Sequence, residues 1–238
     1  MLQVKLSNFL LLSILSTNNM FLPLFAICIF ISLFMLYVLV KHDFVLARKS
    51  LLLQEIFDTT FFAYIAFIFL GRLLFVLGEQ QYSFFHFVKF FHLIRYPGIL
   101  IIGGVLGFGI VIYYVFRKKK ILLRIFDIYS LSMYPIFLFA LLVSYFGGYF
   151  LYFNALLFLL SCIFFGIGIY SYKNYTLKDG TITYLFICLI SIFTIVSEFS
   201  GGNRIIFSFF TIPQILSMII FLGASFLLLV HEGMISGK

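Results

Sequence analysis

The chain has 238 residues, of which 64 % are hydrophobic and 10 % charged, and its formal net charge is +8. Soluble domains run at about 45–50 % apolar and about 25 % charged, and a water-exposed surface could not conceal such an excess. With a mean hydropathy of +1.20, the composition excludes an ordinary soluble enzyme. It points to an all-α integral membrane protein, a bundle of about seven transmembrane helices.

Residues 1–19 hold one short apolar run, Phe9 to Leu15, closed by Ser16-Thr17-Asn18-Asn19. Lys5 makes a weak basic start and no small-x-small cleavage site follows, so the segment reads as a retained interfacial piece. Residues 20–238 read as one seven-span domain. A spanning helix needs about 20 mostly apolar residues. Such stretches fall at 21–40, 57–78, 97–116, 125–147, 149–171, 180–200 and 208–230. Only Phe146-Gly147-Gly148-Tyr149 separates the fourth from the fifth.

The basic residues are unevenly shared between loops. Lys41, Arg48 and Lys49 follow the first stretch, Arg117 to Lys120 and Arg124 the third, Lys173 and Lys178 the fifth, and Lys238 ends the chain. The opposite side holds only Lys5, Lys89, Arg95 and Arg204. Cationic loops stay in the cytoplasm, so this predicts an N-terminus outside and a C-terminus in the cytoplasm. The net charge therefore reads as topology, with no nucleic-acid partner. The chain has 36 Phe, 15 Tyr and no Trp, which leaves Tyr and Phe to form any interfacial belt.

Ionisable residues inside apolar stretches are expensive and mark functional candidates. Arg72 lies near the outer end of the second stretch, where it is either a functional cation or a side chain snorkelling to the interface. Glu198 closes the sixth and is either a site carboxylate or an interfacial one. Asp58 and Asp127, beside Glu55 and Arg124, read as anchors at the cytoplasmic interface. Gly103 and Gly107 share one helix face, as in small-xxx-small helix contacts. Paired glycines can also expose backbone N–H groups to a phosphate. Cys28, Cys162 and Cys188 sit in apolar runs without ligand spacing, and His86 with His92 finds no third ligand, so no metal or cofactor is expected.

Several segments, in order, resemble bacterial prolipoprotein diacylglyceryl transferase, a seven-span enzyme with its N-terminus outside. Leu70-Gly71-Arg72-Leu73-Leu74-Phe75-Val76-Leu77 is similar to the family's Gly-Arg-(Leu/Ile)-Gly-Tyr-Val-Leu. Tyr96-Pro97-Gly98 through Gly103-Gly104-Val105-Leu106-Gly107 occupies the place of its Gly-Gly-Met-Ser-Phe-His-Gly-Gly-Leu-Ile-Gly. Tyr114-Val115-Phe116-Arg117-Lys118-Lys119-Lys120 followed by Asp127 matches the family's aromatic and basic exit and its later Asp. Thr194-Ile195-Val196-Ser197-Glu198-Phe199 and Pro213-Gln214-Ile215-Leu216-Ser217 resemble the C-terminal Arg-Phe-x-x-Glu-Phe and Gly-Gln-x-Leu-Ser. The departures fall on working groups. Ile102 stands at the family's His, and Thr194 at an Arg. Leu141, Ser144 and Tyr149 stand within the Gly-Arg-x-Gly-Asn-Phe-x-Asn-Gly-Glu signature, of which only Gly148 remains.

The resemblance implies transfer of a diacylglyceryl group from phosphatidylglycerol to a lipobox cysteine, with a prolipoprotein signal peptide as second partner. Cations must then hold the phosphate as it leaves, and arginine suits that role. On this reading Arg72, Arg95, Gly103, Gly104 and Gln214 bind substrate, and Glu198 with Arg204 serves catalysis. Losing one preorganised donor commonly costs about 10²–10³ in rate, so transfer is expected to be weak or lost. Two alternatives stay open: a non-catalytic protein binding lipid or a partner on the same scaffold, and a small transporter or membrane subunit. A transporter would favour midplane polar residues and broken helices, of which Pro135 is the only strong instance.

Overall fold

A computed structural model describes residues 21–48, 51–78, 100–146, 151–174, 176–200 and 212–233. Among them are eight helices and no strand: α1 Phe21–His42, α2 Phe44–Arg48, α3 Leu53–Gly78, α4 Ile101–Phe116, α5 Leu122–Phe146, α6 Leu151–Asn174, α7 Thr181–Ser200 and α8 Ile212–Glu232. In each of the seven apolar stretches the described residues are mainly helical; α2 is additional. Four helices, α3, α5, α6 and α8, contain windows long and apolar enough to cross a membrane. The described apolar parts of α1, α4 and α7 are shorter.

α5 is the most buried of the four long apolar helices. It packs against α1, α6 and α7, while α3 pairs with α4 and α7 with α8. The tightest contact is α3 on α4. A Cβ on Gly107 would come within 2.5 Å of the Ala66 carbonyl oxygen, and one on Gly104 within 2.6 Å of the Phe67 ring. Gly103 likewise backs onto Leu70 and Leu74. Three glycines within little more than one turn thus let two backbones meet, which is how helices associate when lipid supplies no hydrophobic drive.

The interior divides into two apolar cores. The first gathers Leu36 and Leu39 of α1, Ile56 of α3, Phe116 of α4, and Ile125 and Tyr129 of α5. The second gathers Ile102 of α4, Tyr134, Phe137 and Leu141 of α5, and Phe186 and Phe193 of α7. Aromatic rings dominate it: Phe137 meets Phe193 edge-on at 5.6 Å, and Tyr134 lies 4.8 Å from Phe186. The outer faces are apolar as well, with Phe30, Phe34, Phe61, Leu159 and Leu222 all at least 60 % exposed.

Candidate functional site

The buried charged residues Asp43, Arg72, Arg124 and Asp127 lie toward the two ends of the bundle. Near the first core, the turn after α1 places Asp43 at the start of α2. Its Oδ1 accepts the backbone N–H groups of Val45 and Leu46 at 2.8 and 3.1 Å. This is an ordinary N-cap, supplying donors of a first turn that have no partner within the helix. Its Oδ2 accepts Arg124 Nε of α5 at 2.7 Å and the Tyr172 hydroxyl of α6. The guanidinium lies over the Tyr172 ring, 4.7 Å from its centroid, and reaches Asp179 through Nη1 at 3.0 Å. Three regions far apart in sequence, around Asp43, Arg124 and residues 172–179, are tied together by one carboxylate and one guanidinium.

Asp127, one turn along α5, caps a different helix. Gly180, at φ +103°, turns the chain into α7, and its N–H donates to Asp127 Oδ2 at 2.5 Å. The Thr183 N–H and hydroxyl donate to Oδ1 at 2.8 and 2.7 Å. A carboxylate here meets the positive end of the helix dipole as well as its free donors. Asp127 is 2 % exposed, so the expectation of an interfacial anchor is corrected: it is an interior cap. Asp58 is exposed. Around this end Lys119 pairs with Glu55 at 2.5 Å, and Thr181 donates to Glu232. The ends of α1, α3, α4, α5, α6, α7 and α8 that carry the basic loops therefore lie together.

Arg72 and Gln214 lie toward the other end, near the second core. Each is 2 % exposed. Arg72 is thus packed inside the bundle instead of snorkelling, with its guanidinium 5.3 Å from the Phe75 ring centroid. Its neighbours Leu74 and Phe75, like Leu216 beside Gln214, pack against the second core. The Leu100 N–H donates to the Gly71 carbonyl at 3.0 Å, which fixes the start of α4 beside Arg72. Gly103 and Gly104 face α3, and the Gly104 N–H is engaged by the Leu100 carbonyl. Ile102 and Leu141 fall in one apolar core at 1 % and 0 % exposure. Thr194 turns its hydroxyl to the Ile190 carbonyl at 2.9 Å. The Glu198 side chain and all of Arg95, Arg204, His86 and His92 lie outside the described residues.

Among the described residues no group of three His, Cys, Asp or Glu side chains could hold a metal ion. The cysteines are free and half-buried, and Cys188 lies 3.5 Å from the Ser225 hydroxyl. Sequence reasoning missed Asp43, although an Asp just before an apolar run is a helix-start signal. Comparison with protein-family models, with curated proteins and with solved structures gives no match.

Proposed function

We propose that this chain is an integral membrane protein of seven spans that binds phosphatidylglycerol at its outer end through Arg72. On this reading it is a divergent relative of the prolipoprotein diacylglyceryl transferases in the bacterial inner membrane, with transfer slow or absent. The observation that carries the reading is the burial of Arg72 at the end opposite the basic loops. A guanidinium offers five donors in a fixed fork that matches a phosphate, and a buried cation is retained in a span at a cost of about 2.5–3.5 kcal/mol on insertion scales. Gln214, in the first turn of α8, adds an amide near a helix N-terminus, where anions are favoured.

The apolar surroundings of Ile102 and Leu141 support loss of transfer. A thiolate nucleophile and a departing glycerol phosphate both need charge stabilisation, and hydrocarbon side chains supply none. Two measurements test the proposal. Phosphatidylglycerol retained by the purified protein should fall with Arg72→Gln while the fold persists; unchanged retention refutes the site. A lipobox peptide should gain little or no diacylglyceryl group, and rescue of a transferase-depleted cell by this chain would show that transfer survives. For the orientation, a cysteine at position 119 should resist labelling in intact cells and one at position 86 should react.

A further inference from the structure

The cations at the basic end fall into two sets. Lys119, Arg124 and Lys178 are engaged by Glu55, by Asp43 and Asp179, and by Glu232 with the His231 carbonyl. Lys41, Arg48, Arg117, Lys118, Lys120 and Lys173 are exposed and make no ion pair with a carboxylate among the described residues, and three of these stand apart: Lys41, Arg117 and Lys173. Each follows an exposed tyrosine by three or four residues: Tyr37 and Lys41 on α1, Tyr114 and Arg117 at the end of α4, Tyr170 and Lys173 on α6. That spacing puts both members on one helix face. Arg117 lies 4.7 Å from the Tyr114 ring centroid and Lys41 Nζ 5.5 Å from that of Tyr37. Tyr114 and Tyr170 are 67 % and 66 % exposed, on helices whose other outward residues are mainly apolar. The ends of the three helices lie at the same end of the bundle: Tyr172 near the end of α6 hydrogen-bonds Asp43 just after α1, and Phe116 at the end of α4 packs in the first core with Leu39 of α1.

We propose that these three tyrosine–cation pairs form a collar that binds the headgroups of anionic phospholipids in the leaflet at the basic end. Tyrosine rings favour the headgroup layer, one edge apolar and one wet. The cations beside them are left free for lipid phosphate by the internal network, which uses other residues. Each cation near an anionic leaflet favours the anionic lipid by about five-fold. The inference rests on the membrane-spanning reading, and is independent of the Arg72 site at the opposite end.

The absence of tryptophan makes a direct test possible, since one introduced Trp reports alone. Tyr114→Trp keeps a ring under Arg117. Phe30→Trp places the reporter on the apolar middle of α1, at a position 75 % exposed. Full-length variants are reconstituted in phosphatidylcholine vesicles carrying an equal fraction of brominated phosphatidylglycerol or brominated phosphatidylcholine. The Phe30→Trp reporter should be quenched equally by both. The Tyr114→Trp reporter should favour the brominated phosphatidylglycerol by about five-fold in relative binding, and Arg117→Gln should abolish that preference. Equal quenching of Tyr114→Trp by the two lipids, or a preference that survives Lys41→Gln, Arg117→Gln and Lys173→Gln together, overturns the collar. A Phe30→Trp reporter that neither lipid quenches overturns the membrane-spanning reading, and the collar with it.

Discussion

The two ends of the bundle bury polar groups in different company. At the basic end, Asp43 accepts four donors and Asp127 three. Their carboxylate oxygens are occupied by helix starts, a guanidinium and hydroxyls, which leaves little capacity for a substrate. At the other end Arg72 and Gln214 border an aromatic core in which Ile102 and Leu141 are sealed. The lesson is that buried charge alone does not mark a site. The basic end is joinery, tying together helices far apart in the chain.

The sharpest way to break this contrast is to remove Asp43. Asp43→Ala leaves Arg124 buried without its main counter-ion and strips α2 of its cap. Breaking a buried pair by losing one partner costs about 3–5 kcal/mol. Thermal unfolding in detergent should show that loss, and a variant as stable as wild type would end the claim that this network is structural. Arg72→Gln, by contrast, should lower lipid retention before it lowers stability.

Packing offers the next largest effect. Gly107→Leu drives a side chain at the Ala66 backbone, which cannot yield as a flexible side chain would. Overpacking of this kind costs about 1–3 kcal/mol, read as reduced accumulation in the membrane fraction. Gly223 has no heavy atom within 4 Å of an added Cβ, so Gly223→Leu is the matched control and should accumulate normally.

Asp127→Ala should cost less, about 1 kcal/mol, the usual value of a lost helix cap. The methyl group accepts neither the Gly180 nor the Thr183 N–H and removes the charge that meets the α7 dipole. Proteolysis of the 176–180 segment is the readout, and it should be faster in the variant. A cleavage rate equal to wild type would return Asp127 to the role of an interfacial anchor.

Much of the fold is legible in the sequence because apolar runs of spanning length form helices, which satisfy their own backbone. The glycine contact is legible too, since Gly103 and Gly107 recur at the spacing of one helix face. The joinery is not. Asp43 and Arg124 lie 81 residues apart, and no periodicity announces which two buried charges will meet. Arg72 is identifiable as an ion in a span, yet sequence leaves both snorkelling and burial open; only packing against α4 and the second core decides between them. The catalytic pair expected from the resemblance, the Glu198 side chain and Arg204, lies outside the described residues.

The smallest effect sharpens the comparison within the basic end itself. Glu55 and Lys119 form an ion pair of 2.5 Å, but their side chains are 38 % and 36 % exposed. Water and salt screen such a pair, and holding two long side chains in register costs entropy, so exposed pairs contribute about 0–1 kcal/mol. Asp43 and Arg124 meet at 2.7 Å with side chains only 0 % and 5 % exposed. If distance governed, the Glu55 pair would matter more; if solvent access governs, the order reverses. Glu55→Gln should therefore shift the unfolding midpoint far less than Asp43→Ala, and a double-mutant cycle with Lys119→Gln should return a coupling that shrinks further at high salt. A coupling as large as that between Asp43 and Arg124 would show that the basic end is held by its rim as much as by its interior. The cations of that rim would then be poorly suited to hold lipid.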